Sequence, residues 1–214
     1  MSAAESTTRV EAFSDGVFAI AITLLILEIR VPPADRGLWA GLLALWPSYV
    51  AFLLSFIVIL IMWVNHHELL RMVQGVSYPF FFANGFLLLT VTFVPFPTAV
   101  LAAHLGTPDA KIAVAFYCGS FVVNALVWNL LFWTIVKHGL VRPDVTAETI
   151  AKVRRAYYAG PIVYLVAMLV ALVQPGAGLL INISLAVVWI RLCYRKTEEA
   201  REERKVFRMP PTRG

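Results

Sequence analysis

The chain has 214 residues, of which 60% are hydrophobic and 14% charged, with a formal net charge of +5. Ordinary soluble domains carry about 45–50% apolar and about 25% charged residues. A fold of this size has too little interior to hide so much apolar surface and too few charges to wet its outside. An ordinary soluble enzyme, a disordered protein and a secreted disulfide scaffold are therefore excluded, and an integral membrane protein remains. The two cysteines, Cys118 and Cys193, lie inside apolar segments and read as small core residues.

A bilayer core about 30 Å thick needs about 20 apolar residues as helix. The first apolar run, 16–27, is free of charge but too short to cross. Extended to 9–29 it is long enough, at the expense of including Glu11, Asp15 and Glu28. It does not read as a cleaved signal peptide, because the charges before it are mixed and it ends in Leu-Glu-Ile-Arg, without a small-residue cleavage site. The runs 40–65, 72–103 and 112–136 are free of Asp, Glu, Lys and Arg, and each holds one span. The run 156–190 is too long for one span and is broken at Gln174-Pro175-Gly176-Ala177-Gly178, which predicts a helical hairpin with its second arm reaching Tyr194. The fold class is thus all-α, an integral membrane bundle of six helices. Residues 1–194 form one six-span domain and 195–214 a short basic cytoplasmic tail.

Placing the N-terminus inside puts fifteen of the 18 Lys and Arg on the cytoplasmic side and leaves Arg30, Arg36 and Lys111 outside. This bias orients the chain with both termini in the cytoplasm. Charge of this kind does not call for nucleic acid. It belongs to a protein whose partner is the lipid bilayer.

Polar residues inside the spans are the ones that need a reason. Arg9, Ser14 and Asp15 lie on the first span, Trp63, Asn65, His66, His67 and Glu68 end the second, and Asn84 lies in the third. The topology brings all of them near the cytoplasmic side. We expect a cluster between helices, with Asp15 accepting from His66 or Asn84 and Arg9 close by. Such a cluster acts either as a clamp that orients the first helix or as a proton relay on His66 or His67. A metal site is not expected, because adjacent histidines diverge by about 100° on a helix. On the same helix Ile20, Leu24 and Leu27 form one stripe with Thr23 beside it, and that stripe serves either packing or a pore. Asn124, Trp128 and Asn129 read as interhelical bonding groups, and Pro95 and Pro97 kink or end the third span. No phosphate loop, nucleophile elbow, zinc-protease motif or carbonyl filter is present in the sequence, so an enzyme is not expected.

The segment 9–25, Arg-Val-Glu-Ala-Phe-Ser-Asp-Gly-Val-Phe-Ala-Ile-Ala-Ile-Thr-Leu-Leu, resembles the opening of the transmembrane protein 175 family, whose hallmark is an Arg followed four residues later by Phe-Ser-Asp. Trp63-Val64-Asn65-His66-His67 is similar to the family pattern ending span two. Asn84 with Phe93-Val94-Pro95-Phe96-Pro97-Thr98 is similar to its third span. The resemblance implies a potassium channel, modestly selective over sodium, without cofactor or carbonyl filter. It implies a homotetramer of six-span subunits, the first helix of each lining a central pore for monovalent cations. Ile20 then matches the constriction, Leu24 and Leu27 the apolar positions beyond it, and Thr23 a threonine tied to selectivity. Potassium would pass near Ile20 and Thr23. Arg9, Phe13, Ser14, Asp15, Trp63, His66 and Asn84 match the segments that hold helix one. The expected location is the plasma membrane of a prokaryote. The rival readings are a proton channel or proton-coupled transporter using Asp15 and His66, and a non-conducting membrane scaffold.

Overall fold

The computed structural model describes residues 3–33 and 37–189, with side chains from Thr7 onward in the first helix. The described chain is helical: α1 (Ala3–Leu24), α2 (Leu38–Ala44), α3 (Trp46–Leu70), α4 (Tyr78–Phe93), α5 (Pro95–His104), α6 (Ala110–Lys137), α7 (Ala147–Val173) and α8 (Pro175–Trp189). A 3₁₀ turn, Leu25–Glu28, prolongs α1. Among the described residues, five segments are long and apolar enough to cross a bilayer: Thr7–Glu28, Trp46–Leu70, Tyr78–His104, Ala110–Lys137 and Ala147–Val173. The expected sixth span is represented by the shorter α8. Its continuation through 190–194 lies outside the described residues, as do Cys193 and the basic tail at 195–214.

Local sequence sets the boundaries. Ser77 and Thr146 cap α4 and α7 by accepting the backbone N–H of Phe80 and Thr149, at 3.3 and 3.2 Å. Pro95 breaks the third span at Val94, so α4 and α5 are two segments of one crossing. Gly139, at φ +65°, ends α6, and the Leu140 N–H reaches back to the Ile135 carbonyl at 3.0 Å. The released chain then pairs with the α3–α4 loop. Val73 and Val141 form an antiparallel bridge, with Gln74 N–H to Leu140 O and Arg142 N–H to Met72 O both at 2.9 Å. That bridge fixes the α3–α4 and α6–α7 loops at the same end of the bundle.

α1 packs between α3 and α4, and α6 packs on α4, α5 and most extensively α7. The shared core is built from large side chains such as Phe18, Ile59, Phe80, Leu101, Phe121 and Leu131. Three buried hydroxyls cross it at the end opposite the loop bridge. Tyr117 donates to Ser55 at 3.0 Å, Ser55 to Thr98 at 2.7 Å, and Thr98 to the Val94 carbonyl at 2.8 Å, at the turn where proline interrupts the helix ladder.

Candidate functional site

α1 has two different faces. Val10, Ser14, Phe18, Ala21 and Leu25 recur every three or four residues and are buried against α3 and α4. The opposite stripe is left open. Phe13 is 66% exposed, Ile20 58%, Leu24 42% and Leu27 69%, and Thr23 and Gly16 are exposed between them. The Thr23 hydroxyl donates to the Ile20 carbonyl at 2.9 Å, which uses its proton and leaves the oxygen lone pairs available on the open face.

The buried face is anchored at the end where the α3–α4 loop lies. His66 Nε2 bonds Asn84 Oδ1 at 2.8 Å, Asn84 Nδ2 donates to Ser14 Oγ at 3.1 Å, and Ser14 Oγ donates to the Val10 carbonyl at 2.8 Å. All three side chains are buried. The Asn84 oxygen has no proton to give, so His66 must carry its hydrogen on Nε2, and the chain of bonds runs in one direction. The His66 ring is held between Phe18, centroids 5.4 Å apart, and Trp128, at 6.2 Å. Its Nδ1 is enclosed without a partner among the described residues.

A second, more exposed set of bonds flanks this one. Trp63 Nε1 donates to Asp15 Oδ1 at 2.8 Å, and one turn lower His67 Nδ1 bonds Glu11 Oε1 at 2.8 Å. Glu11 and Asp15 are four apart on α1, and Trp63 and His67 four apart on α3. The pairs form two rungs between antiparallel helices.

This departs from the expected cluster in one respect. Asp15 accepts from Trp63 rather than from His66 or Asn84, because the buried face of α1 presents Ser14 to α4 and Asp15 is turned about 100° away toward α3. Arg9 and Phe13 lie on the accessible side and line a groove between α1 and α4 with Phe81, Asn84, Gly85 and Leu88. Two features escaped the sequence reading. Glu11 was counted only as a charge in the span. The partner of His67 was hidden by its neighbour, since adjacent helical residues face different elements. The matching spacing of four in Glu11–Asp15 and Trp63–His67 was the available signal.

Asn124 and Asn129 of α6 bond between helices, as expected of them. Asn124 donates to the Thr90 hydroxyl of α4 at 2.7 Å. Asn129 donates to the Tyr157 carbonyl of α7 at 2.8 Å. Pro161 has no N–H, so the Tyr157 carbonyl four residues earlier lacks its helical partner, and Asn129 supplies one. Among the described residues no group of three or more His, Cys, Asp or Glu is placed to hold a metal ion.

Residues 9–95 match the family model described as endosomal/lysosomal potassium channel TMEM175. A potassium channel of Chamaesiphon minutus is 47% identical over 177 residues, covering 78% of this chain and 85% of that protein. A potassium channel of Streptomyces collinus is 48% identical over 160 residues, covering 73% and 78%. The human endosomal/lysosomal proton channel TMEM175 is 32% identical over 139 residues, covering 60% of this chain and 28% of the human protein. The crystal structure of a lysosomal potassium-selective channel TMEM175 homolog from Chamaesiphon minutus superposes with a TM-score of 0.79 at 42% identity, covering 88% of this chain and 98% of that one. The anchor from Arg9 to Asn84 lies wholly within the segment that the family model matches, and likeness in sequence and fold extends over most of the remainder, so this multi-pass membrane protein belongs to the TMEM175 family of ion channels.

Proposed function

We propose that the chain is the subunit of a passive potassium channel, modestly selective over sodium, in which four copies bring α1 together around a central pore. The observation that supports this most directly is the division of α1 into a face fixed by buried hydrogen bonds and an apolar face left uncovered at Ile20, Leu24 and Leu27. A helix carrying Glu11, Asp15 and Glu28 is a poor lipid-facing helix. Around a four-fold axis the same stripe makes stacked apolar rings. Such rings hold back ions by dewetting, because removing hydration water without replacement is costly. Conduction needs the Ile20 ring to widen for a partly hydrated ion. Potassium sheds water more readily than sodium, which gives a modest preference without a carbonyl cage, and the Thr23 hydroxyl lies one helical turn from Ile20, bonded to its carbonyl. Permeant potassium is the only ligand required, and no cofactor takes part.

Ser14, Asp15, Trp63, His66 and Asn84 act in this scheme by setting the position and tilt of α1, while Arg9 and Phe13 border the groove between α1 and α4 beside them. The Lys and Arg bias supports a cytoplasmic position for the anchored end and both termini, and the bacterial relatives support a prokaryotic plasma membrane.

The test is flux through purified protein in liposomes, under a potassium gradient and then a sodium gradient, with Ile20→Asn beside the wild type. We expect potassium flux to exceed sodium flux and the difference to shrink in the variant. Wild-type flux and preference in Ile20→Asn would remove Ile20 as the constriction. The name of the human relative raises proton conduction through Asp15 and His66 as a second reading. The one-way bond chain from His66 ends on a backbone carbonyl and leaves no onward acceptor for a proton. Proton flux under a pH gradient, abolished by His66→Gln while potassium flux survives, would reverse that preference.

A further inference from the structure

The end of α1 opposite the loop bridge is held differently from the end at Ser14 and Asp15. Leu27 stands about 20 Å along the helix from Ser14. Beyond Asp15, among the described residues, no side chain of α1 or of its 3₁₀ turn bonds another helix. α1 itself packs on α3 and α4, whereas the turn Leu25–Glu28 packs on α3 and α5. Leu25 of the turn and Leu101 of α5 are both fully buried. Where Leu27 stands therefore depends on where α5 stands.

α5 does not take its place from the helix ladder. Pro95 and Pro97 lack N–H groups, so the Val91 and Phe93 carbonyls lose the donors that would join α5 to α4. A junction of this kind bends unless something outside it fixes the angle. The three buried hydroxyls sit at this junction. Tyr117 of α6 donates to Ser55 of α3 at 3.0 Å, and Ser55 donates to Thr98 of α5 at 2.7 Å. The Thr98 proton is committed to the Val94 carbonyl at 2.8 Å, which leaves its oxygen to accept and gives the chain one direction. All three side chains are fully buried. Val94 closes α4 and Thr98 lies in α5, so the chain ties both sides of the break to α3 and α6.

Hydroxyl bonds between membrane helices add little stability on average, because the unfolded chain in lipid also finds partners. A fully satisfied buried network does add rigidity and a single arrangement. We infer that Tyr117, Ser55 and Thr98 are positioning residues for the open stripe of α1. They fix α5 against α3 and α6, and α5 fixes the far end of α1 at Leu27. Their effect on ions rests on the pore proposed above, where they set the width of the Leu27 ring while Ser14 and Asp15 set the other end.

The test reads the two ends of α1 separately. Leu27→Cys and Phe13→Cys are each placed in the full chain carrying Cys118→Ala and Cys193→Ala. The rate of modification by a charged methanethiosulfonate reagent is then measured in lipid nanodiscs. Ser55→Ala should raise the rate at Leu27→Cys at least threefold and leave the rate at Phe13→Cys unchanged. Thr98→Val should do the same, and Thr98→Ser, which keeps the hydroxyl, should match the reference. Tyr117→Phe loses only the first bond and keeps its ring against Phe121, 4.9 Å away between centroids, so a rise of about twofold is expected. With native Leu27 and Phe13, Ser55→Ala should change the potassium-to-sodium flux ratio in liposomes at least twofold, and Thr98→Ser should not. If Ser55→Ala fails to fold, judged by its thermal midpoint, Thr98→Val decides. Unchanged rates at Leu27→Cys would overturn the inference. Equal rises at Leu27→Cys and Phe13→Cys would overturn it too, since they mark general loosening. An unchanged flux ratio beside a raised rate at Leu27→Cys would remove these residues from conduction. A wild type without flux would defeat the proposed pore, and the modification rates would still decide the second anchor.

Discussion

α1 and α8 are both helices at the margin of the described bundle, yet they are held in different ways. α1 is fixed by side-chain hydrogen bonds at one end: Ser14 to Asn84 and His66 inside, and Asp15 and Glu11 to Trp63 and His67 at the edge. α8 is fixed by closeness. At Gly178 a Cβ would fall 2.6 Å from the Ala171 Cβ and 2.8 Å from the Ala167 carbonyl oxygen of α7. Close packing needs a partner along the length of a helix, as the α7–α8 hairpin provides. A helix that must leave one face open cannot be secured that way along its whole girth. Directional bonds at one level set its rotation and height while the rest of the open face stays free.

The comparison predicts that the largest loss comes from the buried centre of the α1 anchor. His66→Ala removes a ring packed between Phe18 and Trp128 and leaves the Asn84 oxygen without its donor. Cavity and unmet acceptor together should lower stability by about 3 kcal/mol, measured by thermal unfolding in detergent. A loss below 1 kcal/mol would mean that neither the His66 ring nor its bond to Asn84 is what positions α1.

Gly178→Ala tests the other mode. The added methyl meets backbone as well as side-chain atoms, so the α7–α8 crossing must open. We expect about 2 kcal/mol of destabilisation, and crosslinking between cysteines placed on α7 and α8 should report a wider separation. An unchanged melting temperature would show that the hairpin is less tightly specified than its contact at Gly178 implies.

Much of this arrangement was legible in the sequence. Charge-free runs located the spans, Gln174-Pro175 located the hairpin turn, and Asp15, His66 and Asn84 were placed at one depth by topology alone. The pairing was not legible, because it depends on helix rotation. A turn of about 100° decides whether Ser14 or Asp15 meets Asn84, and that rotation is set by Phe18, Ala21 and Leu25 packing together. The bond from Asn129 to Tyr157 could have been found from Pro161, whose missing N–H marks the carbonyl four residues before it.

Asn129→Leu follows in size. It bares the Tyr157 carbonyl in an apolar interior, at about 1 kcal/mol, the usual range for a hydrogen bond between membrane helices. Pro161→Ala restores a backbone donor to the same carbonyl. In that background Asn129→Leu should cost little, so a double-mutant cycle reads a coupling near the single-mutant loss. Additive losses would mean that Asn129 serves its other acceptor, the Ala125 carbonyl, and that the proline gap is met in another way.

The smallest effect belongs to the outermost rung of the anchor. Glu11 and His67 are partly exposed side chains joined across α1 and α3 at 2.8 Å. Water screens such a pair, and holding both side chains in place opposes the gain, so His67→Gln should cost no more than about 0.5 kcal/mol. Asp15→Ala lies one turn deeper and strips Trp63 of its acceptor, so it should lower potassium flux more than stability by letting α1 turn. Comparing the two variants in one flux assay separates anchoring from mere attraction. If His67→Gln impairs flux as much as Asp15→Ala, the position of α1 is set at the outer rung, and the inward bonds to Ser14 serve the core rather than the open stripe.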